Sequence, residues 1–599
     1  MPGEREKQPS AAAVSPCGGS DQEQTRTNSS STTAILQNPL ETMSNDEVVA
    51  DADRFVEENG LVEHRQLFRR GCLAAKTQNI PDGFEGLVEL TEADKAILRF
   101  EIKHQWKSSP RKLYLLCALC AGCAIVQGMD QTVINGAQSF YFEEFGITDK
   151  LMQGFVNGSP YAAAALLGCW LNAPLNDRWG RRGTIAVSCF LAFVTAIWQA
   201  VSKHWISFLV ARLILGLAVG AKSSTTPVYA AESSPKSIRG ALTMMWQMWT
   251  AFGIMLGFVV SLVFQKADFL GPHSQWRWMI GITALPPMIG DFKRAFDSLK
   301  LLRKHDIQAA RDMYLAYKLL RPSEGQKGGW QLFKEFFTIR RNRRAAQSAW
   351  FCMFMQQFCG VNVIAYYSTK IFIDAGYSHE SALLVSFGSG VCNFLGAIPA
   401  IFTIDRCGRR RLLLVTFPIM ALLLFWTGSS FLIPDKNQRL AMVAASLYLF
   451  MILYSPGLGP VPFTYSAEAF PLHIRAVGMS SATAITWAFN FLISFTWPEM
   501  MDKFTATGGF YWYATWNIFG FVFAYFLVPE TKNMTLEELD GVFSVRNRDH
   551  ARYYAQKLRR LWKKMRGQDT EPIRPLYAFH ASSAQSVVKD TGSSQAKDT

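Results

Sequence analysis

The sequence predicts an all-α polytopic membrane protein, and two observations carry that prediction. Among its 599 residues, 49% are hydrophobic and only 18% are charged, whereas about 25% are charged in typical soluble proteins. The apolar residues also gather into repeated runs. Several runs reach the roughly 20 residues that a helix needs to cross about 30 Å of hydrocarbon. A soluble core does not need such runs repeatedly.

Twelve apolar segments are candidate membrane helices, and an even number places both ends of the chain on one side. The segments are 112–135, 152–175, 183–202, 205–230, 240–265, 276–290, 346–372, 381–404, 411–433, 441–466, 474–498 and 510–528. Basic clusters, such as those around Arg340 and Arg409, lie beside alternate loops, and such clusters favour the cytosol. The net charge of +14 is therefore read as a topology signal and not as a sign of nucleic-acid binding.

The chain divides into five predicted regions. Near the N-terminus, Thr91 followed by Asp94 predicts the start of a helix, while the first 50 residues are polar and predicted to be disordered. The regions are a cytosolic N-terminal tail (1–111), a six-helix bundle (112–290), a cytosolic helical loop (291–345), a second six-helix bundle (346–533) and a cytosolic C-terminal tail (534–599).

Two motifs recur in the two bundles. Asp177-Arg-Trp-Gly-Arg-Arg182 reappears 228 residues later as Asp405-Arg-Cys-Gly-Arg-Arg410, and Glu232 with Arg239 reappears 236 residues later as Glu468 with Arg475. Two matches nearly in register predict parallel halves that alternate access around a central site. The glycines suit a close approach of two helices, and the charges suit bonds that lock helix ends.

We therefore expect a cytosolic gating lattice that closes the protein towards the cytosol; charges that only set the topology are the alternative. The predicted members are Asp177, Arg178, Arg181, Glu232, Arg239, Asp405, Arg406, Arg409, Glu468 and Arg475.

Asp130 lies inside an apolar segment. An intramembrane carboxylate is costly and usually marks an ion path or a proton relay. Arg212, in the fourth segment, is its predicted partner, and protonation of Asp130 would release Arg212 and bias the opening of the site. A purely structural buried ion pair is the alternative.

Longer motifs resemble the sugar porter branch of the major facilitator superfamily over roughly 112–545. They are Ile214, Gly216, Leu217, Gly220, Tyr229, Glu232 and Arg239, then Gln356-Gln-Phe-Cys-Gly-Val-Asn362, Gly459-Pro-Val-Pro462 and Pro529-Glu-Thr-Lys-Asn533. Met129-Asp-Gln-Thr132 looks like fungal carriers of myo-inositol and other polyols. The resemblance implies the major facilitator fold and, through Asp130, proton coupling.

The same resemblance implies a solute site of amides and aromatic rings, which suit hydroxyl groups and C–H faces. Its predicted residues are Gln247, Gln356, Gln357, Asn362, Asn393, Tyr366, Phe463 and Trp487. Phe463 stands where glucose carriers generally have Trp, which favours another polyol over glucose. Any single amide could instead join neighbouring helices.

The sixth segment departs from the family. Only 13 residues separate Trp278 from Gly290, counted inclusively, and they span about 20 Å as a helix, short of the ~30 Å core. Pro286 and Pro287 weaken it further. We therefore expect helix 6 to be truncated. A lost exon or a wrong splice junction would produce such a truncation, and a chain made with this helix would have impaired activity.

The sequence thus predicts a secondary active transporter, not an enzyme, for proton-coupled uptake of a sugar or polyol of the myo-inositol or hexose type. Its partners would be a small polyhydroxylated solute, a proton and a lipid bilayer, without nucleic acid, metal or cofactor. The plasma membrane is the family's commonest location, and a monomer suffices. A proton-independent facilitator, a non-transporting nutrient receptor and an inactive product remain as alternatives.

Overall fold

The computed structural model describes the chain in segments, and it is overwhelmingly helical there. The described residues are 34–36, 40, 43–58, 62–77, 83–104, 106–111, 113–114, 122–234, 238–265, 275–284, 308, 311, 329–532, 534, 538–568, 573 and 576–579. A short strand, β1 (Ala34–Leu36), pairs in parallel with β2 (Tyr577–Phe579). Most of the segment predicted to be disordered lies outside the described residues.

Three helices precede the membrane region: α1 (Asn45–Glu58), α2 (Arg65–Lys76) and α3 (Glu92–Lys103). They enclose their own apolar cluster, which includes Phe55 and Phe68. Thr91 caps α3, because its hydroxyl accepts the Asp94 N–H at 3.2 Å and the Asp94 carboxylate accepts the Thr91 N–H at 3.3 Å. The predicted helix start at Thr91 is confirmed.

The first half of the membrane region contains seven described helices. They are α4 (Ala124–Glu144), α5 (Lys150–Ala163), α6 (Asn172–Val201), α7 (Trp205–Ser233), α8 (Arg239–Thr243), α9 (Met245–Phe264) and α10 (Gln275–Gly281). A π-helical turn, Ala164–Gly168, follows α5. A 3-10 turn, Ile282–Ala284, follows α10.

The second half is preceded by α11 (Gly329–Thr338), in the predicted cytosolic loop, and followed by two helices of the C-terminal tail. The helices after α11 are α12 (Arg340–Phe358), α13 (Val361–Ala375), α14 (His379–Ala397), α15 (Ala400–Cys407), α16 (Arg409–Ser430), α17 (Lys436–Tyr454), α18 (Val461–Ala469), α19 (Arg475–Leu527), α20 (Glu538–Ser544) and α21 (Asn547–Met565). A 3-10 turn, Leu472–Ile474, precedes α19.

Helices overlie each of the twelve predicted spans, but several spans consist of two pieces. Among the described residues, five helical stretches are long and apolar enough to cross a membrane alone, or six if the bent pair α14 and α15 counts as one. The five are Gly183–Val201, Trp205–Glu232, Arg239–Phe264, Arg409–Ser430 and Arg475–Leu527. The last covers two predicted spans, which a break at Thr505 (φ 60°) separates.

The sixth predicted span is described from Gln275 to Ala284, and the predicted truncation stays a prediction. Seven residues of α10 and three of the following turn make about 15 Å of helix; residues 285–290 lie outside the described residues. The start of α10 is firmly held. Arg277 pairs with Glu144 at 2.6 Å and donates to the Ser202 carbonyl at 2.6 Å, and the Trp276 indole donates to Glu144 at 2.6 Å.

The two halves pack along several helix pairs, which include α5 with α19, α9 with α14, α7 with α19 and α4 with α13. Polar contacts cross this seam. Asn135 on α4 donates to the Ser368 hydroxyl at 2.8 Å, and Lys150 on α5 pairs with Asp502 on α19. This seam is where the sequence predicts the solute site.

Candidate functional site

The Asp130 carboxylate lies in the field of two buried cations. Asp130 is on α4, Arg212 and Lys222 are on α7, and the charges of Lys222 and Arg212 act on it; Thr283 after α10 is also beside it. Oδ2 of Asp130 is buried and, within the described part of the chain, has no hydrogen-bond partner. An unsatisfied carboxylate in a membrane protein usually marks an ion path or a proton relay.

Arg212 is held by α5 and not by Asp130. Its Nε donates to the Val156 carbonyl at 2.9 Å and its Nη2 to the Asn157 carbonyl at 2.7 Å. The Val156 carbonyl is available because Pro160, four residues later, has no N–H to donate to it. The predicted Asp130–Arg212 partnership thus takes the form of a charge interaction without a direct ion pair.

Lys222 is a residue of this site that sequence reasoning missed. Its side chain has no exposed surface, and Nζ donates to the Cys123 carbonyl at 3.2 Å, just before α4. The signal was present, because a lysine in the middle of an apolar helix is as costly as an aspartate there. α7 therefore presents two cations to α4.

Three predicted amides of the second half bond mainly to one another and to the backbone. Gln356 Nε2 donates to the Gly459 carbonyl at 2.8 Å, and Gln357 Nε2 lies 3.4 Å from Gln356 Oε1. Asn362 donates to Gln357 Oε1. These amides are therefore brought together, with their hydrogen-bonding capacity largely used in this state.

Two other predicted amides have spare capacity. Asn393 on α14 accepts from the Ser455 hydroxyl at 2.7 Å, but its Nδ2 is buried and has no partner among the described residues. Gln247 on α9 is 8% exposed, and no hydrogen bond of its side chain is found within the described chain. Phe463 on α18 is buried in the apolar core of the second half. Asn393 and Gln247 are the amides best able to bind a solute hydroxyl.

Three aromatic rings form a stack that crosses the seam between the halves. The ring of Tyr161 lies 5.5 Å from that of Trp487 (8° between planes) and 5.5 Å from that of Tyr366 (16°). The Trp487 indole donates to the Ser223 hydroxyl at 2.9 Å, and the Tyr366 hydroxyl donates to Asn490 at 2.8 Å. Sequence reasoning found Tyr366 and Trp487 but missed Tyr161, whose position in an apolar run carries no distinguishing signal.

A cavity of about 220 Å³ lies between the halves. At about 30 Å³ for each water, this is room for about seven waters or one small solute. None of the predicted solute residues lines it, so the cavity is separate from the amide cluster. Its lining residues are Asn135, Gln138, Phe142, Gln153, Asn157, Tyr367, Thr369, Lys370, Ile373, His379 and Pro498.

Acid–base contacts lock the opposite end of the bundle, called here the lattice end. Arg409 pairs with Glu468 at 2.6 Å and with Asp405 at 2.9 Å. Asp405 also accepts the backbone N–H of Ala241 at 2.9 Å. Because Ala241 belongs to the first half and Asp405 to the second, this hydrogen bond ties the halves together.

The first half contributes the equivalent pair from the repeated motif. Arg181 donates two hydrogen bonds to Glu232, at 3.1 and 3.0 Å. The charge of Glu232 acts on Arg475 of the second half, and that of Arg239 acts on Glu468. The lattice therefore couples the halves by charge as well as by the Ala241 hydrogen bond.

Three predicted lattice members lie outside this network. Asp177, Arg178 and Arg406 are exposed, and none forms an ion pair within the described residues. Arg178 instead lies 5.7 Å from the ring centre of Trp179. The structure thus brings together seven of the ten predicted residues by contact or charge.

The glycines of the two repeated motifs allow a backbone conformation with positive φ. Gly180 and Gly408 have φ of 68° and 90°, values that side-chain-bearing residues rarely adopt. The predicted close approach of two helices is found at neither glycine: an added Cβ would meet nothing within 4 Å at Gly180, and at Gly408 it would lie 2.6 Å from Oε2 of Glu530, which is outside the helices. Glu530 accepts the backbone N–H groups of Arg409 (2.9 Å) and Arg410 (3.2 Å), so the Pro529-Glu-Thr-Lys motif anchors the start of α16.

Residues 116–543 match the family model described as "Sugar (and other) transporter". The chain belongs to this family. The galactose-proton symporter of Escherichia coli K12 is 30% identical over 462 residues, covering 74% of this chain and 96% of that protein. Myo-inositol transporter 2 of Schizosaccharomyces pombe is 30% identical over 458 residues, covering 71% of this chain and 81% of that protein.

Solved structures confirm the predicted fold of this sugar transporter family member. The proton:xylose symporter XylE bound to 6-bromo-6-deoxy-D-glucose superposes with a TM-score of 0.61 at 22% identity, covering 72% of this chain and 99% of that one. Family and fold together establish an all-α, multi-pass integral membrane protein that is a transporter and not an enzyme. The predicted sugar porter resemblance is confirmed.

Proposed function

We propose that this sugar transporter carries a sugar or polyol across the membrane together with a proton, by alternating access. The observation that carries the proposal is the buried, unpartnered Oδ2 of Asp130 in the field of Lys222 and Arg212. The names of its relatives support both parts, since one is a galactose-proton symporter and another a myo-inositol transporter.

A path connects the proton site to the solute site. A change in the charge of Asp130 alters the field at Arg212, whose guanidinium holds the Val156 and Asn157 carbonyls of α5. Tyr161, one turn further along α5, is the middle ring of the stack that crosses the seam. Protonation would therefore shift the helix that carries the central ring.

The arrangement of cavity and lattice supports a direction of transport. The lattice end is held by Asp405, Arg409 and Glu468, while the 220 Å³ cavity lies on the other side of the amides. With the basic lattice end in the cytosol, both tails are cytosolic and the cavity receives solute from outside. We place the protein in the plasma membrane, acting as a monomer, with the predicted regions as its domains.

Substitution of Asp130→Asn tests the coupling. Purified protein in proteoliposomes with an alkaline interior should accumulate labelled myo-inositol, galactose or xylose, and unlabelled hexoses, pentoses and linear polyols should compete. The variant should lose accumulation because its amide cannot release a proton, while exchange of solute without a pH difference persists.

Asp149→Asn is the matched control. Asp149 is exposed and caps α5 by accepting the Met152 N–H at 3.1 Å, and asparagine caps a helix as well as aspartate does. The control should accumulate solute like the parent. Undiminished accumulation in Asp130→Asn would contradict coupling through Asp130. Uptake by the parent that never exceeds equilibrium and is unaffected by a protonophore would favour a facilitator; binding of solute without any flux in the parent would favour a receptor.

A further inference from the structure

A second cavity, of about 570 Å³, lies where the N-terminal tail meets the lattice end. Its walls come from the end of α3 and the turn after it, from Ile238 before α8, and from α15 together with Lys532. Trp106 fixes the tail there: its ring stacks on Tyr114 at 5.9 Å and lies 6.1 Å from that of Phe402. The cavity thus joins the tail to both halves of the bundle.

The charged groups around this cavity are mostly cations. Its charged or titratable lining residues are Lys103, His104, Lys107, Asp405, Arg406 and Lys532. Within the described residues, Lys103, Lys107 and Arg406 have no acidic partner, and Lys532 Nζ donates to the Arg406 carbonyl at 2.5 Å. Four full positive charges therefore share one partly enclosed space.

The one acid among the described lining residues does not balance them. Asp405 already pairs with Arg409 at 2.9 Å and accepts the Ala241 N–H at 2.9 Å, so its charge is used by the lattice. Cations gathered in one place repel one another, and a multivalent anion removes that repulsion. Lysine and arginine are also the side chains that bind phosphate best.

We propose that this cavity binds a multiply phosphorylated anion, either a soluble phosphate ester or the phosphorylated headgroup of a lipid. The expected effect of this anion on transport rests on the proposed function. An anion held by Lys103 and Lys107 of the tail, which leads into the first half, and by Arg406 of the second half bridges elements that must separate when the lattice end opens. Its binding holds that end closed and slows transport.

Binding to the full-length protein in nanodiscs tests the proposal. The soluble probe is inositol 1,4,5-trisphosphate, measured by calorimetry in phosphatidylcholine nanodiscs. The lipid probe is phosphatidylinositol 4,5-bisphosphate, measured by the gain in thermal stability and by uptake in proteoliposomes that contain it. We expect binding of one or both probes and slower uptake when the probe is present on the tail side.

The double substitution Lys103→Gln/Lys107→Gln removes two cations without touching the lattice. It should weaken binding by roughly tenfold for each lysine that no longer pairs with a phosphate group and relieve the slowing of uptake. Lys436→Gln/Lys503→Gln, at the other end of the bundle, removes the same charge and should bind like the parent.

Each outcome decides something. Binding of the soluble probe alone assigns the site to free phosphate esters, binding of the lipid probe alone assigns it to a lipid headgroup, and binding of both supports the shared phosphate chemistry. Absence of binding by both probes, or equal binding by the two double variants, overturns the proposal. Since binding is measured without flux, a protein that binds the anion but moves no solute would contradict the proposed function and leave this site standing.

Discussion

Substitution of Asp405→Ala should open the lattice end. Asp405 is the acid that joins the halves, because it accepts the Ala241 N–H at 2.9 Å. A hydrogen bond to a charged group contributes about 1.5–3 kcal/mol. Arg409 keeps its 2.6 Å pair with Glu468, so the loss of the cross-half bond is the main effect. A change of that size alters the ratio of open to closed forms by roughly 10- to 150-fold.

Thiol labelling measures this ratio. Ser480 is 2% exposed and accepts a hydrogen bond from Asn172 across the seam at 3.1 Å, so a cysteine there reacts only when the end opens. In protein whose eleven native cysteines are replaced, N-ethylmaleimide should label Ser480→Cys at least about tenfold faster with Asp405→Ala. Glu499→Ala, which removes a surface pair with Lys503, is the control. A labelling rate equal to that of the parent would show that the Ala241 bond does not hold the end closed.

Two further substitutions test the C-terminal helix and the proton site. Burial and the charges of Arg344 and Arg410 lower the pKa of His550 from 6.5 to about 3. Between these two pH values, His550 therefore binds a proton when α21 has detached from the bundle, but not while α21 is packed against it. Docking should therefore be strongest above pH 6.5 and weaken by about 1.4 kcal/mol per pH unit below it. The measurement is the protection of α21 amides, that is, their exchange rate relative to that of the unfolded peptide at the same pH; protection should fall with pH in the parent and not in His550→Gln. Lys222→Met replaces a buried charge by an apolar side chain, so thermal stability should stay equal or rise. Solute accumulation should fall because Asp130 loses a cation, and full accumulation would exclude a role for Lys222.

The positions of the membrane helices could be predicted from the sequence because apolar runs of that length have one physical explanation. Their internal breaks could not. The span predicted at 346–372 is interrupted by Gly360, whose φ of 97° places it between α12 and α13. Thr505, with a φ of 60°, is a different case, because it lies between the predicted spans 474–498 and 510–528, where the sequence predicts a loop.

The residue types of the proposed proton site could be predicted from the free-energy cost of placing a charge inside the membrane. Their contacts could not be predicted. Charge complementarity predicted that Arg212 pairs with Asp130, yet its guanidinium binds two carbonyls of α5. Pro160 was visible in the sequence as a residue that frees the carbonyl four residues earlier. What the sequence does not contain is the rotation of α5 that turns this carbonyl towards α7.

The repeated motifs predicted equal roles in the two halves, and the structure breaks that symmetry. Asp405 is paired and bridges to the first half, whereas Asp177 is exposed. A repeat preserves the fold of each half, but each side chain meets different neighbours across the seam. Glu530, which reaches the start of α16, has no counterpart that the motif alone would reveal.

The rings of Tyr161, Trp487 and Tyr366 lie face to face in the middle of the molecule. Ring faces offer no donors or strong acceptors, so a file of waters cannot run through them. In the proposed mechanism, a solute that enters the seam between the halves must part these rings. The lost ring contact, about 0.5–1.5 kcal/mol for each pair, must then be offset by binding of the solute, so the rings oppose a crossing without cargo.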